Sequence, residues 1–403
     1  MPSRSQVCAW IAGFGLVVPS LVAAQDRTER EIVELIVREG PHATAIRAET
    51  EVVRREQLAR LAYPNPGVTY SREGAGFTEF LQAEQSLPLF GVRRALSSAG
   101  EAATAAAEAD RDVRIWLLRG DASTAVARLL AGQERLELAE AHIGDVERLL
   151  EILRTREREG EGSRFDRLRA EQELRDTRQM LTSAAVAVVE ARATLSGMLP
   201  REVSVTRIAG ALDPKPLPVS ADTLPARATS TRAELRALGQ TAQRASFEAE
   251  AARKAKLPSP TLFGGLKRAD DVSGRDSGGV FGVSVSLPLF DAGGRDAARW
   301  EAERARVEAA RASIELRIRS EIAGAVEALS MRQAALSQEP EEAGRALAEI
   351  AAVAYREGEV GILELLDAMR TASRAKLRNI EMRLDARLAQ IALERAVGDI
   401  LWP

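Results

Sequence analysis

Acidic residues beside two glycine turns are the side chains of this sequence whose types and spacing could do chemistry. Glu364 and Asp367 stand three residues apart, so in a helix they would share one face. Asp166 has the corresponding place after an earlier turn of similar sequence, "REGEGSRFDRL" at 158–168 against "REGEVGILELL" at 356–366. Clustered carboxylates attract cations, and single carboxylates favour the positive N-terminal end of a helix. Both interpretations stay open at this point.

Other chemistry finds no support in the residue types. The two histidines, His42 and His142, are far apart and are interpreted as ordinary helix-surface residues, and the one cysteine is Cys8. No nucleophile and base pairing, phosphate loop or metal-ligand cluster stands out. The net charge is −3, with 56 basic and 59 acidic residues interleaved. The sequence therefore predicts no enzyme, no cofactor and no nucleic-acid partner.

Residues 1–24 have the features of a secretory signal. Arg4 precedes an apolar run from Val7 to Val18, and small residues end at Ala24, after which we expect cleavage. An N-terminal membrane anchor is the alternative, although the run is shorter than the roughly 20 residues of a spanning helix. Cys8 lies near the start of the run and not at its end, so it is not placed for lipid attachment.

The remaining chain repeats itself. "SLPLF" occurs at 86–90 and 286–290, "AYPNP" at 62–66 corresponds to "KLPSP" at 256–260, and the two glycine turns follow in the same order. Each copy predicts a helix, a Pro-x-Pro segment, a β-hairpin, SLPLF, a long helix, a turn and a returning helix.

The hairpin segments alternate polar and apolar residues. In "VFGVSVSLPLF" Phe281, Val283, Val285 and Leu287 face one way. Each strand has room for about 9 to 11 residues, enough to cross a bilayer at a tilt, although a soluble hairpin with one buried face is the alternative. The turns fall at 74–76 and 270–279, and Pro88 and Pro288 would end the ladders.

The helices are too long for a compact domain. From Gly91 to Glu159 nothing stops a helix of about 100 Å. Two shorter helices are expected end to end beside it. The second long element is expected to be kinked or broken at 339–340, with a returning helix and the N-terminal helix as its partners. The expected ranges are Ser163–Gly197 and Thr229–Lys256 for the first set, and Asp296–Glu357, Gly361–Gly398 and Asp26–Ala62 for the second.

Four strands cannot close a useful pore, because about eight make a barrel filled by its own side chains. The chain is therefore expected to oligomerise, and three copies would supply about twelve strands around one lumen. The Pro-rich connector at 199–226 is either a belt around the resulting tube or a flexible linker.

The ordered repeat, together with "YREGEVGILELLDAMRTASRAK" at 355–376, resembles the outer-membrane efflux protein family, the TolC-like channels. This resemblance implies a mainly α fold with a small β part: a homotrimer with a shared transmembrane β-barrel in the outer membrane and an α-helical tunnel in the periplasm of a Gram-negative envelope. It implies docking to a periplasmic adaptor (membrane fusion) protein and an inner-membrane efflux pump.

The resemblance also assigns roles to the turns. Gly160, Gly358 and Tyr355 would form adaptor-docking tips. The acids named above, Asp166, Glu364 and Asp367, would form the tunnel entrance or gate, each becoming a ring around a threefold axis. Val360 and Gly361 stand where some relatives carry a basic or hydroxyl side chain, so a partner for these acids is not evident from the sequence.

The predicted organisation follows the repeat. Its parts are the signal peptide (1–24), a helical tunnel segment (25–65), the first hairpin of the barrel (66–90), a long and a returning helix (91–198), an equatorial connector (199–228), a helical segment (229–257), the second hairpin (258–290), and a long and a returning helix (291–403).

The implied function is a passive export duct. "QSLPLFGVRRALSSAGEAA" and the short mature chain are most similar to the heavy-metal (Czc/Cus-type) branch, which makes heavy-metal cations the expected cargo. A drug-efflux or type I secretion channel is the alternative. A periplasmic structural or adaptor coiled-coil protein is the alternative from another class, and the second full repeat argues against it.

Overall fold

The computed structural model describes residues 27–402 except 75–77, 90, 255, 258, 272–273, 288, 291–292 and 339–340. The predicted signal peptide, Pro288 and the predicted helix break at 339–340 lie outside the described residues. The strands are β1 Arg27–Thr28, β2 Gly67–Glu73, β3 Thr78–Ser86, β4 Ile208–Ala209, β5 Pro260–Asp271 and β6 Gly274–Val285. The α-helices are α1 Glu29–Glu39, α2 Pro41–Arg60, α3 Val92–Glu159, α4 Arg164–Ser196, α5 Leu224–Thr231, α6 Ala233–Lys254, α7 Gly294–Gln338, α8 Glu341–Glu357 and α9 Ile362–Val397.

Helix α3 is the central long helix of the first repeat. Its 68 residues form one uninterrupted helix of about 100 Å. Helices α4 and α6 both pack along it, as expected for two shorter helices beside a long one. Near the hairpins the contact is made by alanines, with Ala95 and Ala99 of α3 against Ala251 of α6, which lets the two backbones approach closely.

The N-terminal helix differs from the expectation in two ways. It is two helices, because the Gly40 N–H closes α1 on the Ile36 carbonyl at 3.0 Å and Pro41 starts α2. Both helices pack on α3 instead of on the second long element, α7. Ile32 and Ile36 lie in one core with Leu129 of α3. The apolar face of α7 is covered by α5, α6 and α9, so it offers no comparable seam to α1.

The repeat is visible in the backbone where each hairpin joins its long helix. The Leu89 N–H donates to the Leu87 carbonyl and the Leu289 N–H to the Leu287 carbonyl, both at 2.9 Å. A left-handed glycine follows in each copy, Gly91 with φ +78° and Gly293 with φ +71°. SLPLF is therefore the segment in which the chain changes direction from strand to helix.

The four long strands form one antiparallel sheet in the order β2-β3-β5-β6, so the central β3–β5 pair joins the two repeats. The register places most of the large apolar side chains on one face: Val68, Tyr70, Leu81, Leu262, Leu266, Phe281 and Val283. All are exposed, Phe281 by 89%. The apolar face predicted from alternation is thus formed, and nothing within the described chain covers it.

The connector between the repeats is packed and is not a flexible linker. Val205, Ile208 and Leu212 are buried in the core beside α3. Strand β4 pairs in parallel with β1, and the Gln390 side chain of α9 donates to the Lys215 carbonyl at 2.6 Å. No helix of the described ranges has the length and apolar character needed to cross a membrane.

Candidate functional site: the paired helix tips

Two glycine turns end the helices that run away from the hairpins. Gly160 after α3 and Gly358 after α8 both have φ +80°. The Glu161 N–H donates to the Arg156 carbonyl and the Glu359 N–H to the Ala354 carbonyl, both at 2.9 Å. This is the same helix-ending motif twice, and its left-handed residue favours glycine. A Cβ at either glycine would meet no atom within 4 Å, so backbone conformation, and not space, requires glycine there.

The returning helices begin directly after these turns with acids in their first turns. The Ser163 hydroxyl accepts from the Phe165 N–H at 3.1 Å and caps α4, whose first turn contains Asp166. Helix α9 has no side-chain cap at Gly361. The Glu364 carboxylate folds over that position instead, with Oε2 2.9 Å from where a Gly361 Cβ would stand. The positive helix end favours both acids.

The two tips lie side by side because an apolar cluster joins the repeats beneath them. Leu150 and Leu153 of α3, Leu174 of α4, and Leu365 and Leu366 of α9 are all buried in it. Helix α8 packs on α9 and places Tyr355 against the same cluster. The predicted tip residues of both repeats are therefore held at one end of the molecule.

Tyr355 connects the second repeat to the first. Its ring centroid lies 5.7 Å from the guanidinium carbon of Arg156 on α3, a cation–π distance. Burial, followed by the nearby charge of Asp166, raises the pKa of the Tyr355 phenol. Tyr355 and Arg156 thus form a contact across the repeats, and the charge of Asp166, a second predicted site residue, acts on the same phenol.

Two arginines near the tips, Arg370 and Arg167, are engaged within the chain. Arg370 of α9 forms an ion pair with Glu173 of α4, whose side chain is buried. Arg167 binds both Glu157 and Glu171. Glu364 and Asp367 are exposed, and no ion pair joins either to a cation of the described ranges. Their carboxylates are therefore available to groups outside this chain.

The histidines are not brought together. His42 is exposed near the start of α2, whereas His142 on α3 is only 8% exposed, so the expectation of a surface residue is wrong for His142. Burial lowers the pKa of His142, with Glu173 and Asp145 acting in the opposite direction. Within the described residues no three His, Cys, Asp or Glu side chains are grouped for a metal ion.

Sequence reasoning missed the Glu173–Arg370 pair. Glu173 falls on the buried face of α4 between Ala170 and Thr177. A charged residue at a position where the helical pattern calls for an apolar one was the signal that could have revealed this pair. A buried carboxylate needs a cation within reach, but the sequence does not say which arginine supplies it.

Comparison with known proteins gives a family match and a similar protein along nearly the whole chain. The model of the family described as outer membrane efflux protein matches residues 58–200 and 224–399. The chain is 23% identical, over an alignment of 423 positions, to the pyoverdine export outer membrane protein OpmQ of Pseudomonas aeruginosa, covering 98% of this chain and 88% of OpmQ.

Solved structures share the fold. The open-state MtrE outer membrane channel of Neisseria gonorrhoeae has a TM-score of 0.71 at 20% identity, covering 99% of this chain and 97% of that one. A crystal structure of CusC has a TM-score of 0.70 at 18% identity and covers 92% of both chains.

Proposed function

Because the chain belongs to the outer membrane efflux protein family, we propose that it is the passive outer-membrane duct of a tripartite efflux system, working with a periplasmic adaptor and an inner-membrane pump. The observation that carries this proposal is the distance between two unlike ends. An open sheet with an uncovered apolar face lies at one end, and paired glycine tips lie about one long helix, roughly 100 Å, away. Such a chain can reach from a membrane to partners in the periplasm.

A homotrimer is the proposed assembly, and the edges of the chain support it. In the half of the molecule between the connector and the tips, the helices pack in the order α4-α3-α9-α8. Helices α4 and α8 are therefore the outer two. Both carry large apolar side chains that the chain leaves exposed. They are Phe165, Leu168, Val186 and Val189 on α4, and Leu347, Ile350 and Val353 on α8. Helix α8 turns its smaller residues inward, with Gly344 against Ala372 and Ala375. The α8 edge of one copy therefore fits the α4 edge of the next.

The heights of two of these side chains match to within about one helical turn. Ile350 lies seven residues before the end of α8 and Leu168 four residues after the start of α4, about 11 Å and about 6 Å of helix. Rotation about an axis along the tube keeps heights unchanged, so the two residues would meet across the seam.

The tip residues keep the roles proposed from the sequence. Gly160, Gly358 and Tyr355 form the adaptor-docking tips. Glu364 and Asp367, together with Asp166, the corresponding acid after the first tip, form carboxylate rings at the tunnel entrance, which favour cations over anions. The exposure of Glu364 and Asp367 without a cation partner in the described chain supports this role.

Heavy-metal cations remain the proposed cargo on the strength of these acids. Export of a larger organic compound is the second candidate, because OpmQ is a pyoverdine export protein. Complementation of an efflux-deficient strain, scored for resistance to metal salts and to drugs separately, tests the two.

Crosslinking tests the assembly directly. With Cys8 removed along with the predicted signal, the double variant Ile350→Cys with Leu168→Cys should form covalent trimers on mild oxidation in the outer-membrane fraction. Ile350→Cys with Val189→Cys is the control, because about 30 Å of helix separates these heights and a disulfide needs Cα atoms within about 7 Å. Monomers from both double variants, or covalent trimers from both, would contradict the proposed seam.

The tips are tested by replacing both glycines. Gly160→Leu with Gly358→Leu should abolish efflux and leave the trimer level unchanged, because a side chain strains the left-handed turns where an adaptor would dock. Normal resistance in this variant would remove the docking role. Gly324→Leu, on the exposed face of α7, is the control and should retain efflux.

A further inference from the structure

A groove of about 530 Å³ lies between α3, α8 and α9 in the half of the molecule nearest the tips. Its apolar wall is formed by Leu149 and Ile152 of α3 and by Leu365 and Met369 of α9. Helix α8 forms the third side through Ala348 and Ala352. Pockets of this size and lining are typical of small amphipathic ligands.

Two polar side chains line this groove although the fold has buried them. Ser373 is 7% exposed, and its Oγ has no hydrogen-bond partner within the described chain. His142 is 8% exposed, and none of the hydrogen bonds formed among the described residues involves its ring. Buried polar groups in folded proteins nearly always have partners. The groove therefore presents hydrogen-bonding capacity that the chain itself does not use.

The charge around the groove is positive. Five of its lining residues are arginine or lysine, against two acids, Asp145 and Glu349. Both acids are already engaged, Asp145 with Arg148 and Glu349 with Arg345. Lys376 is half-buried, lines the same groove and forms no ion pair with a described carboxylate. It is three residues from Ser373, so the two side chains share one face of α9.

We propose that this groove binds an amphipathic carboxylate, a small molecule with an apolar body and one anionic end. The body lies along Leu149, Ile152 and Met369. The carboxylate accepts hydrogen bonds from Lys376 Nζ and the Ser373 hydroxyl, with the His142 ring beside them. A charge-assisted hydrogen bond of this kind is the strongest that such a site can form.

The position of the groove favours a free acid over a membrane lipid. Along α3, about 70 Å of helix separates Val92, next to the hairpins, from Leu138, at the end of the groove that is farthest from the tips. An acyl chain embedded in a bilayer at the hairpins cannot extend that far. The occupant must reach the groove through water, which suits a single-chain carboxylate.

Photolabelling of the purified full-length protein in lipid nanodiscs provides the test. A dodecanoic acid that bears a diazirine should label peptides of α3 and α9 that line the groove, saturably, and an excess of dodecanoate should compete. The neutral 1-dodecanol should not compete at the same concentration. Labelling of the hairpin strands, which scales with concentration, serves as the internal reference. Competition by an anionic lysophospholipid but not by dodecanoate would overturn the proposal in favour of a lipid.

Variants locate the two parts of the site. Lys376→Gln should weaken dodecanoate competition by about tenfold, as expected for loss of one charged hydrogen bond. Ile152→Asp should weaken it at least as much, because a charge would enter the apolar wall. Arg374→Gln on the same helix and Leu363→Asp at the tip lie outside the groove and should change nothing. Saturable labelling that is absent, or indifferent to both groove variants, would refute the site. Binding is measured without export, so neither result depends on the proposed efflux function.

Discussion

The ring of Tyr355 lies 5.7 Å from the guanidinium carbon of Arg156, although the two residues belong to different repeats of the chain. The contact lies one helical turn from both glycine tips, where the described residues of the two repeats meet through α3, α4, α8 and α9. It therefore ties the end of α8 to the end of α3, in addition to the apolar cluster beneath the tips.

Tyr355→Leu should loosen this end of α8. A cation–π contact at a partly exposed site contributes about 0.5–1 kcal/mol, so opening should become roughly two- to fivefold easier. Hydrogen exchange of the α8 amides is the measurement. Tyr63→Leu is the matched control, because it removes a contact with Arg93 at 3.9 Å near the hairpins. Faster α8 exchange in the control as well would mean that the effect is not local.

Glu364→Gln with Asp367→Asn should lower cation selectivity in planar bilayers. The double change removes two carboxylates per copy, and divalent cations added from the periplasmic side should block less well. Glu56→Gln with Glu250→Gln, an equal loss of charge on exposed residues near the hairpins, is the control. Selectivity and block that match the wild type in the tip variant would leave these acids as helix-terminal residues only.

Arg370→Met should destabilise the tip half by about 3 kcal/mol, because it leaves the Glu173 carboxylate buried without its cation. Urea unfolding followed by far-UV circular dichroism measures this. The double variant Glu173→Leu with Arg370→Met should recover most of the loss, since no charge then remains buried. Arg178→Met, which breaks an exposed pair with Glu147, should cost less than about 1 kcal/mol. Equal losses in the two single variants would show that burial does not matter here.

Ionisation of Glu394 should lower the free energy of unfolding as the pH rises. Its carboxylate accepts hydrogen bonds from the Leu401 N–H at 2.9 Å and the Trp402 N–H at 3.1 Å, yet burial raises its pKa above the ordinary 4.5. The folded state then holds a proton that the unfolded chain has already released. The resulting loss begins near pH 4.5 and is complete above the folded pKa.

Glu394→Gln keeps an oxygen acceptor for both N–H groups and removes the buried charge. Its melting temperature should therefore exceed that of the wild type at pH 7 by more than at pH 4. Glu359→Gln, at an exposed tip position, should retain the wild-type profile. A constant difference between Glu394→Gln and the wild type at all pH values would exclude titration of this group.

The sequence by itself determined the repeat, the two hairpins and the glycine tips. These features depend on local rules: alternation gives the strand faces, a continuous helical pattern gives α3, and a left-handed turn favours the glycine at 160 and at 358. The same rules work in any surroundings, so the helix from Val92 to Glu159 matched its expected range closely.

Tertiary structure alone decided which apolar seams meet and which charges they enclose. Helices α1 and α2 were expected beside α7 but lie on α3, and His142 was expected at the surface but is buried. The physical reason is that the apolar face of one long helix is much like that of another, so the sequence of a helix does not specify which other helix it packs against. Only the simultaneous packing of α3, α4, α8 and α9 brings Arg370 to Glu173, and Arg156 to Tyr355.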